Sequence, residues 1–273
     1  MQENRKREIR IEADGFREKC KISRFGIMDL FKDCERMGYK LIRYPLGETA
    51  DLGFAMIKDG DTVIFTNSSC RFSREIFTLA HEIGHVLLHM CGESPYIDDA
   101  ITISGRSTDA TEQEANYFAA CLLMPSDEVD RFFDTRLTDL SDRSLSAMDI
   151  ARMMSEFNVS FDMALNRLEN LGKIDANEHQ RLDNEKNEHR VGKLLQSVGG
   201  NAKLNMPGNV TDIPYEYINY VIYNYNHSAI PLETLEKALK CYHLNIEDIS
   251  DRLVVHEVGE DDDLSDMIGG LED

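Results

Sequence analysis

Residues 71–90 read RFSREIFTLAHEIGHVLLHM, and the run His81-Glu82-Ile83-Gly84-His85 inside them decides how the rest of the chain is read. On a helix, His81 and His85 share a face and lie about 6 Å apart, so both imidazoles can meet one ion. Glu82 follows His81 by about 100° of helix, beside that ion rather than on it, where a carboxylate can act on a water molecule. This is the H-E-x-x-H spacing, in which one helix carries two metal ligands and a general base. Two neutral imidazoles suit zinc, and a catalytic zinc needs a third protein ligand and one open position. Leu79, Ala80, Val86, Leu87 and Leu88 mark the helix as buried, and histidines and carboxylates placed there need partners. The plainer alternative is a pair of satisfied core histidines. Ser73 is the expected N-cap, with Glu75 in the first turn.

The third ligand is expected from a neighbouring helix. The segment TEQEANYFAACLLM (111–124), stopped by Pro125, offers Glu112 and Glu114. Ala115, Phe118, Ala119, Leu122 and Leu123 centre its apolar face; Glu112 falls about 50° from that centre and Glu114 about 110°. Small Ala115 and Ala119 allow a close approach to the histidine helix. Glu112 is the better placed ligand; Glu114 is the alternative, and otherwise a solvated acid. Asn116, one turn beyond Glu112, is placed to orient a histidine. His89 lies about 12 Å from His81 along the axis and reads as a packing or surface residue. Tyr96, Tyr117 and His89 are candidates for stabilising an oxyanion.

Upstream, Phe54–Ile57 and Thr62–Phe65 flank Asp59-Gly60, a strong hairpin signal. The second of these strands is either a sheet edge, to which an extended peptide could add as a further strand, or a buried strand. YKLIRYPL (39–46) reads as a strand, and residues 1 to about 38 as helical, with the stripe of FGIMDLFKDCERMG (25–38) closed by Gly38. Downstream of a loop over 92–108, SDEVDRFFDT (126–135) is a short helix with Ser126 as its cap. Residues 149–157 and 161–171 form a helix pair joined by NVS, with Ser160 as the second cap. The polar stretch 174–190 is an exposed helix or a linker, 213–226 a helix or a strand, and 231–244 an amphipathic helix. Residues 251–273 hold nine acidic residues and one arginine and read as an acidic disordered tail.

The chain has 273 residues, 42% hydrophobic, with a formal net charge of −20. That charge repels phosphate backbones, so nucleic acid is disfavoured as a partner and a basic protein is easier to accommodate. Six scattered cysteines without a C-x-x-C pair read as free thiols. No apolar run is long enough to span a membrane. The opening residues, MQENRKREIRIEADGF, lack the apolar stretch of a signal peptide, so a cytoplasmic location is expected.

RFSREIFTLAHEIGH, TEQEANYFAACLLMP and FNVS…LNRLENLG together resemble the ImmA/IrrE family of metallopeptidases over about residues 15–172. The resemblance implies an α+β fold: a minimal thermolysin-like zincin core, with a small antiparallel sheet and the H-E-x-x-H helix, followed by a mainly helical C-terminal part. It implies one Zn2+ held by His81, His85 and Glu112, with Glu82 as catalytic base. It further implies an endopeptidase whose substrate is a helix-turn-helix transcriptional repressor, cleaved to relieve repression of a mobile element or stress response. The expected division is a metallopeptidase domain over 1–128, a helix-turn-helix-like module over 129–173 and an extension over 174–273. Two rival readings stand beside it: a zinc-binding regulatory protein without proteolytic activity, and a DNA-binding regulator. For the latter, the second helix of the pair offers only Asn166 and Arg167 to a duplex.

Overall fold

The computed structural model describes residues 1–50, 52–58, 60–90, 96–97, 109–137 and 144–254. The chain divides into two compact units, Met1–Asp212 and Ile213–Asp273. The expected breaks near 128 and 173 do not appear as breaks between these units. One continuous core runs from Ile9 through Leu165 and Leu168 to Leu195 and Leu204, so the helices after residue 128 close over the same apolar interior.

The first unit opens with α1 (Glu3–Arg17) and α2 (Leu30–Arg36), followed by β1 (Lys40–Tyr44), β2 (Gly53–Lys58) and β3 (Asp61–Asn67). Then come α3 (Phe72–Leu88), the two-residue β4 (Tyr96–Ile97), α4 (Ala110–Leu123), α5 (Ser126–Arg136), α6 (Ala147–Phe157), α7 (Phe161–Asn170), α8 (Ala176–His189) and α9 (Val191–Ser197). The second unit holds α10 (Tyr217–Asn226) and α11 (Leu232–Cys241) around Val221, Ile222, Leu235, Leu239 and Ile249. The stretch expected as helix or strand at 213–226 is thus helical where it is regular. The acidic tail from 255 onward and most of the loop at 92–108 lie outside the described residues.

The architecture is α+β, but the sheet is mixed rather than antiparallel. Its order is β1-β3-β2-β4, with β2–β3 and β2–β4 antiparallel and β1–β3 parallel. The connection from Tyr44 to Gly53 turns the chain back past a gap one strand wide, and β3 then fills that gap. Lys58 pairs with Asp61, so the hairpin turn has two residues; Gly60 takes the positive φ of 86° that such turns demand, and Asp59 is outside the described residues. β3 is therefore central, the buried-strand alternative, and not a sheet edge. Ile64 and Phe65, successive residues on opposite faces, are both buried, as a central strand requires.

α3 leaves β3 after a short turn and is tied back to the sheet in its first turn. The buried Glu75 carboxylate accepts Nε and Nη2 of Arg43, from β1, both at 2.8 Å, and the Thr66 hydroxyl, from β3, at 3.0 Å. Arg43 in turn lies 3.9 Å from the centre of the Phe31 ring. Ser73 is not the N-cap; Arg71 holds that place without a side-chain bond, and Ser73 is buried inside the helix. Ser126 likewise is the first residue of α5 behind Pro125, whereas Ser160 caps α7 as expected, accepting from Met163 N. Removing the carboxylate in Glu75→Ala leaves the largely buried Arg43 guanidinium, 13% exposed, without its carboxylate. A loss of about 3–5 kcal/mol is expected, measurable as a lower denaturant midpoint.

Candidate metal centre

Why α3 and α4 meet where they do is visible at Gly84. A Cβ placed there would lie 3.1 Å from both Ala115 Cα and Phe118 Cδ1. A glycine on one helix and an alanine on the other therefore let the two backbones touch, which brings Glu112, one turn before Ala115, over His85. α1 packs along the other side of α4, and its arginines reach across: Arg5 to Glu114 at 2.6 Å and Arg10 to the Tyr117 hydroxyl at 3.0 Å.

The result is a buried cluster. His81, Glu82 and His85 are wholly inaccessible and Glu112 is 2% exposed. Nε2 of His81 and Nε2 of His85 are 2.9 Å apart; Glu112 Oε2 lies 3.3 Å from the first and Oε1 3.1 Å from the second. Donor atoms bound tetrahedrally at 2.0–2.1 Å around zinc stand about 3.3 Å from each other. The separations, 2.9 to 3.3 Å with one Glu112 oxygen near each imidazole, are near that spacing, and the donor set, two imidazoles and one carboxylate, is of the kind that binds such an ion. These three residues can therefore hold a metal.

The surroundings fix the ligand atoms. His81 Nδ1 lies 3.1 Å from Asn116 Oδ1; a carboxamide oxygen only accepts, so Nδ1 carries the proton and Nε2 keeps its lone pair for the cluster. Burial pushes the Glu112 carboxyl upward, and the imidazoles of His81 and His85 outweigh that, leaving it below the ordinary glutamate value. Asn116→Ala is expected to weaken metal binding about 10–100-fold with Glu112 intact, read by competition with a chromogenic chelator.

Glu114, the alternative third ligand, points the other way, to Arg5, which holds its carboxyl below the usual range. His89 is half-buried beside the cluster, its ring 5.4 Å from that of His85 and Nε2 3.2 Å from Thr111 O. Tyr117 is taken up by Arg10 of α1 and does not join the cluster. Tyr96 falls on β4, and its side chain lies outside the described residues.

Two residues escaped the sequence reading. Gly53, the first residue of β2, passes so close to α3 that a Cβ there would lie 2.6 Å from Thr78 Cγ2, 2.8 Å from Phe65 O and 3.3 Å from Glu82 Oε1. Thr78 stands one turn before Glu82 on the same face, and its buried hydroxyl has no hydrogen-bond partner among the described residues. A lone glycine opening a strand was the only available signal, since such glycines mark close backbone approach. Gly53→Ala is expected to cost about 1–3 kcal/mol by overpacking and to displace the Glu82 carboxylate; a lower unfolding temperature checks it.

Residues 34–169, half of the chain, match the model of the IrrE N-terminal-like domain, Peptidase M78. The chain belongs to this ImmA/IrrE family of metallopeptidases. The match runs from α2 to the end of α7, so the family unit includes the sheet, the whole His81–His85–Glu112 cluster and the α6–α7 pair. The chain is also 31% identical over 87 residues to "Uncharacterized immunity region protein 2" of Bacillus phage phi105. That alignment covers 32% of this chain and 53% of the phage protein, so the chain spans about half the length of that relative. Among the described residues, no helix of this family member is long and apolar enough to cross a membrane.

Proposed function

We propose that the chain is a cytoplasmic zinc-dependent endopeptidase that cleaves a helix-turn-helix repressor. The observation that carries this reading is the convergence of His81 Nε2, His85 Nε2 and a Glu112 oxygen, with Glu82 on the next position of the same helix. The fold around it fits a minimal zincin core: a sheet on one side, the histidine helix behind it and the third ligand on the following helix. In this reading residues 1–128 carry the peptidase core and residues 129–173 complete its wall.

Zinc in such a site acidifies water and polarises the scissile carbonyl. The chain supplies the rest. His81, His85 and Glu112 would hold the ion, and Asn116 keeps the His81 proton on Nδ1. Glu82 takes a proton from the attacking water and returns it to the departing amine nitrogen. Gly53 and Thr78 set the space in which that carboxylate stands.

The substrate assignment is supported by the family's repressor-cleaving members, by the immunity-region name of the phage relative, and by a net charge of −20 that suits a basic, DNA-binding protein. Direct DNA binding is disfavoured by α7: Arg167 is 4% exposed, and its Nε donates to Met124 O at 2.8 Å, so it cannot reach a phosphate. The test is elemental analysis followed by incubation with the helix-turn-helix repressor encoded nearby, with products identified by mass spectrometry. About one zinc per chain and a defined cut are expected; a metal-free protein purified without chelator would sink the reading.

A further inference from the structure

A cleft of about 980 Å3 opens in the first unit between the start of α3 and the exposed side of α7. The buried His81, Glu82, His85 and Glu112 do not line it, but three neighbours of theirs do. Asn116 holds His81, the Phe77 ring centre lies 6.4 Å from that of His81, and Leu52 directly precedes the Gly53 that abuts Glu82. Farther out along α3 stand Arg74 and Arg71, both exposed and neither paired with a carboxylate among the described residues. The facing wall presents the exposed carboxamides of Asn166 and Asn170, one turn apart on α7. Of the cleft's acids, Asp162 pairs with Lys186 at 2.6 Å, a lysine it shares with Asp183, and Glu169 bonds His179 at 2.6 Å, both at the α7 side; Glu48 is exposed, and Arg71 and Arg74 are the cations at the α3 end.

We infer that this cleft holds an extended stretch of the substrate on one side of the scissile bond and selects an acidic side chain there through Arg71 and Arg74. The inference rests on the peptidase reading above and deepens it. Arg74 precedes His81 by seven residues, about 10.5 Å of helix, and Arg71 by ten, about 15 Å. An extended peptide advances about 3.3 Å per residue, so the acid belongs about three to five residues from the cut. Asn166 and Asn170 can pair with the peptide's amides regardless of its side chains, which leaves the charge to the arginines. The surface field and the cleft then ask for different things: a basic protein is drawn in, and an acidic segment of it is seated. On this account α7 guides substrate rather than reading a duplex, even though the α6–α7 pair has helix-turn-helix spacing.

Two measurements separate this inference from the reading beneath it. First, a positional-scanning peptide library is offered to the zinc-loaded protein; Asp or Glu is expected three to five residues from the cut, with the preference turned to Lys or Arg by Arg71→Glu/Arg74→Glu. Second, labelled peptides bearing Asp or Lys at those positions bind Glu82→Gln protein, followed by fluorescence anisotropy. The acidic peptides should bind about threefold to tenfold tighter, an advantage lost in the double charge reversal. Cleavage indifferent to charge at those positions, with unchanged cleavage by the double variant, overturns the cleft assignment and leaves the peptidase reading standing. Acid-dependent binding through the two arginines without any cleavage supports the cleft as an acidic-peptide site and overturns the peptidase reading. A labelled DNA duplex that displaces the acidic peptides from the arginines overturns the inference.

Discussion

Glu82→Gln is expected to reduce peptide cleavage about 100- to 10,000-fold, the usual contribution of a positioned general base, while leaving the metal content unchanged. The two halves of that result come from different parts of the site. The three short separations that define the metal cluster involve His81, His85 and Glu112, not Glu82. Glu82 is wholly buried one residue beyond His81, with its Oε1 3.3 Å from where a Cβ on Gly53 would stand. Glutamine keeps the size and shape at that spot but exchanges one accepting oxygen for a donating NH2 and cannot take up a proton. Elemental analysis and a cleavage assay on one preparation check both halves. Full cleavage by the variant removes Glu82 from the chemistry. Loss of metal from it shows that Glu82 supports the ion rather than the proton transfer. Absence of cleavage in wild type and variant alike, with metal bound in both, favours the non-proteolytic regulator.

What could be read from the sequence and what could not divide along a physical line. The grouping of His81, His85 and Glu112 was legible because its information is local. His81 and His85 are one turn apart, and the angle of Glu112 to the apolar face of its own helix placed it toward α3 and Glu114 away, where Arg5 takes it. The close approach at Ala115 was foreseen from small residues on α4, although its partner Gly84, in the middle of the motif, was not. Strand order was not legible. Whether β3 lies at an edge or at the centre depends on where β1 docks, and β1 pairs with β3 across more than twenty residues with no local signal of direction. The wish for a substrate strand beside β3 failed for that reason. The same holds for Gly53, whose role exists only because Thr78 and Glu82 come to meet it. Arg167 shows the same dependence on packing. The second helix of the helix-turn-helix-like pair offered few groups to a duplex, and tertiary packing turns its arginine inward onto the carbonyl that ends α4.

Glu112→Ala is expected to abolish stoichiometric metal binding, whereas Glu114→Ala is expected to retain it. Losing a partner that only orients a ligand costs about 10–100-fold in affinity; losing one of three ligands costs more, because two imidazoles cannot complete a three-point cradle. The difference between the two glutamates is one of direction, not of chemistry. Glu112 places one carboxylate oxygen near each imidazole, at 3.3 and 3.1 Å, and Glu114 pairs with Arg5 at 2.6 Å. Glu112 also carries a pH consequence of definite sign. Its carboxyl is held below the ordinary glutamate value by the two imidazoles, against the upward push of burial. Its ionised form therefore contributes stability above the unfolded glutamate range, lost as pH falls through the lower folded value. Thermal unfolding reads the metal directly, since an ion that binds only the folded chain at about 100 times its dissociation constant adds about 2.7 kcal/mol. Wild type and Glu114→Ala should show that rise on adding zinc, and Glu112→Ala should not. A zinc-dependent rise that survives in Glu112→Ala but vanishes in Glu114→Ala would move the third ligand to the other carboxylate and require α4 to turn by more than half the angle between them, against the contact of Ala115 with Gly84.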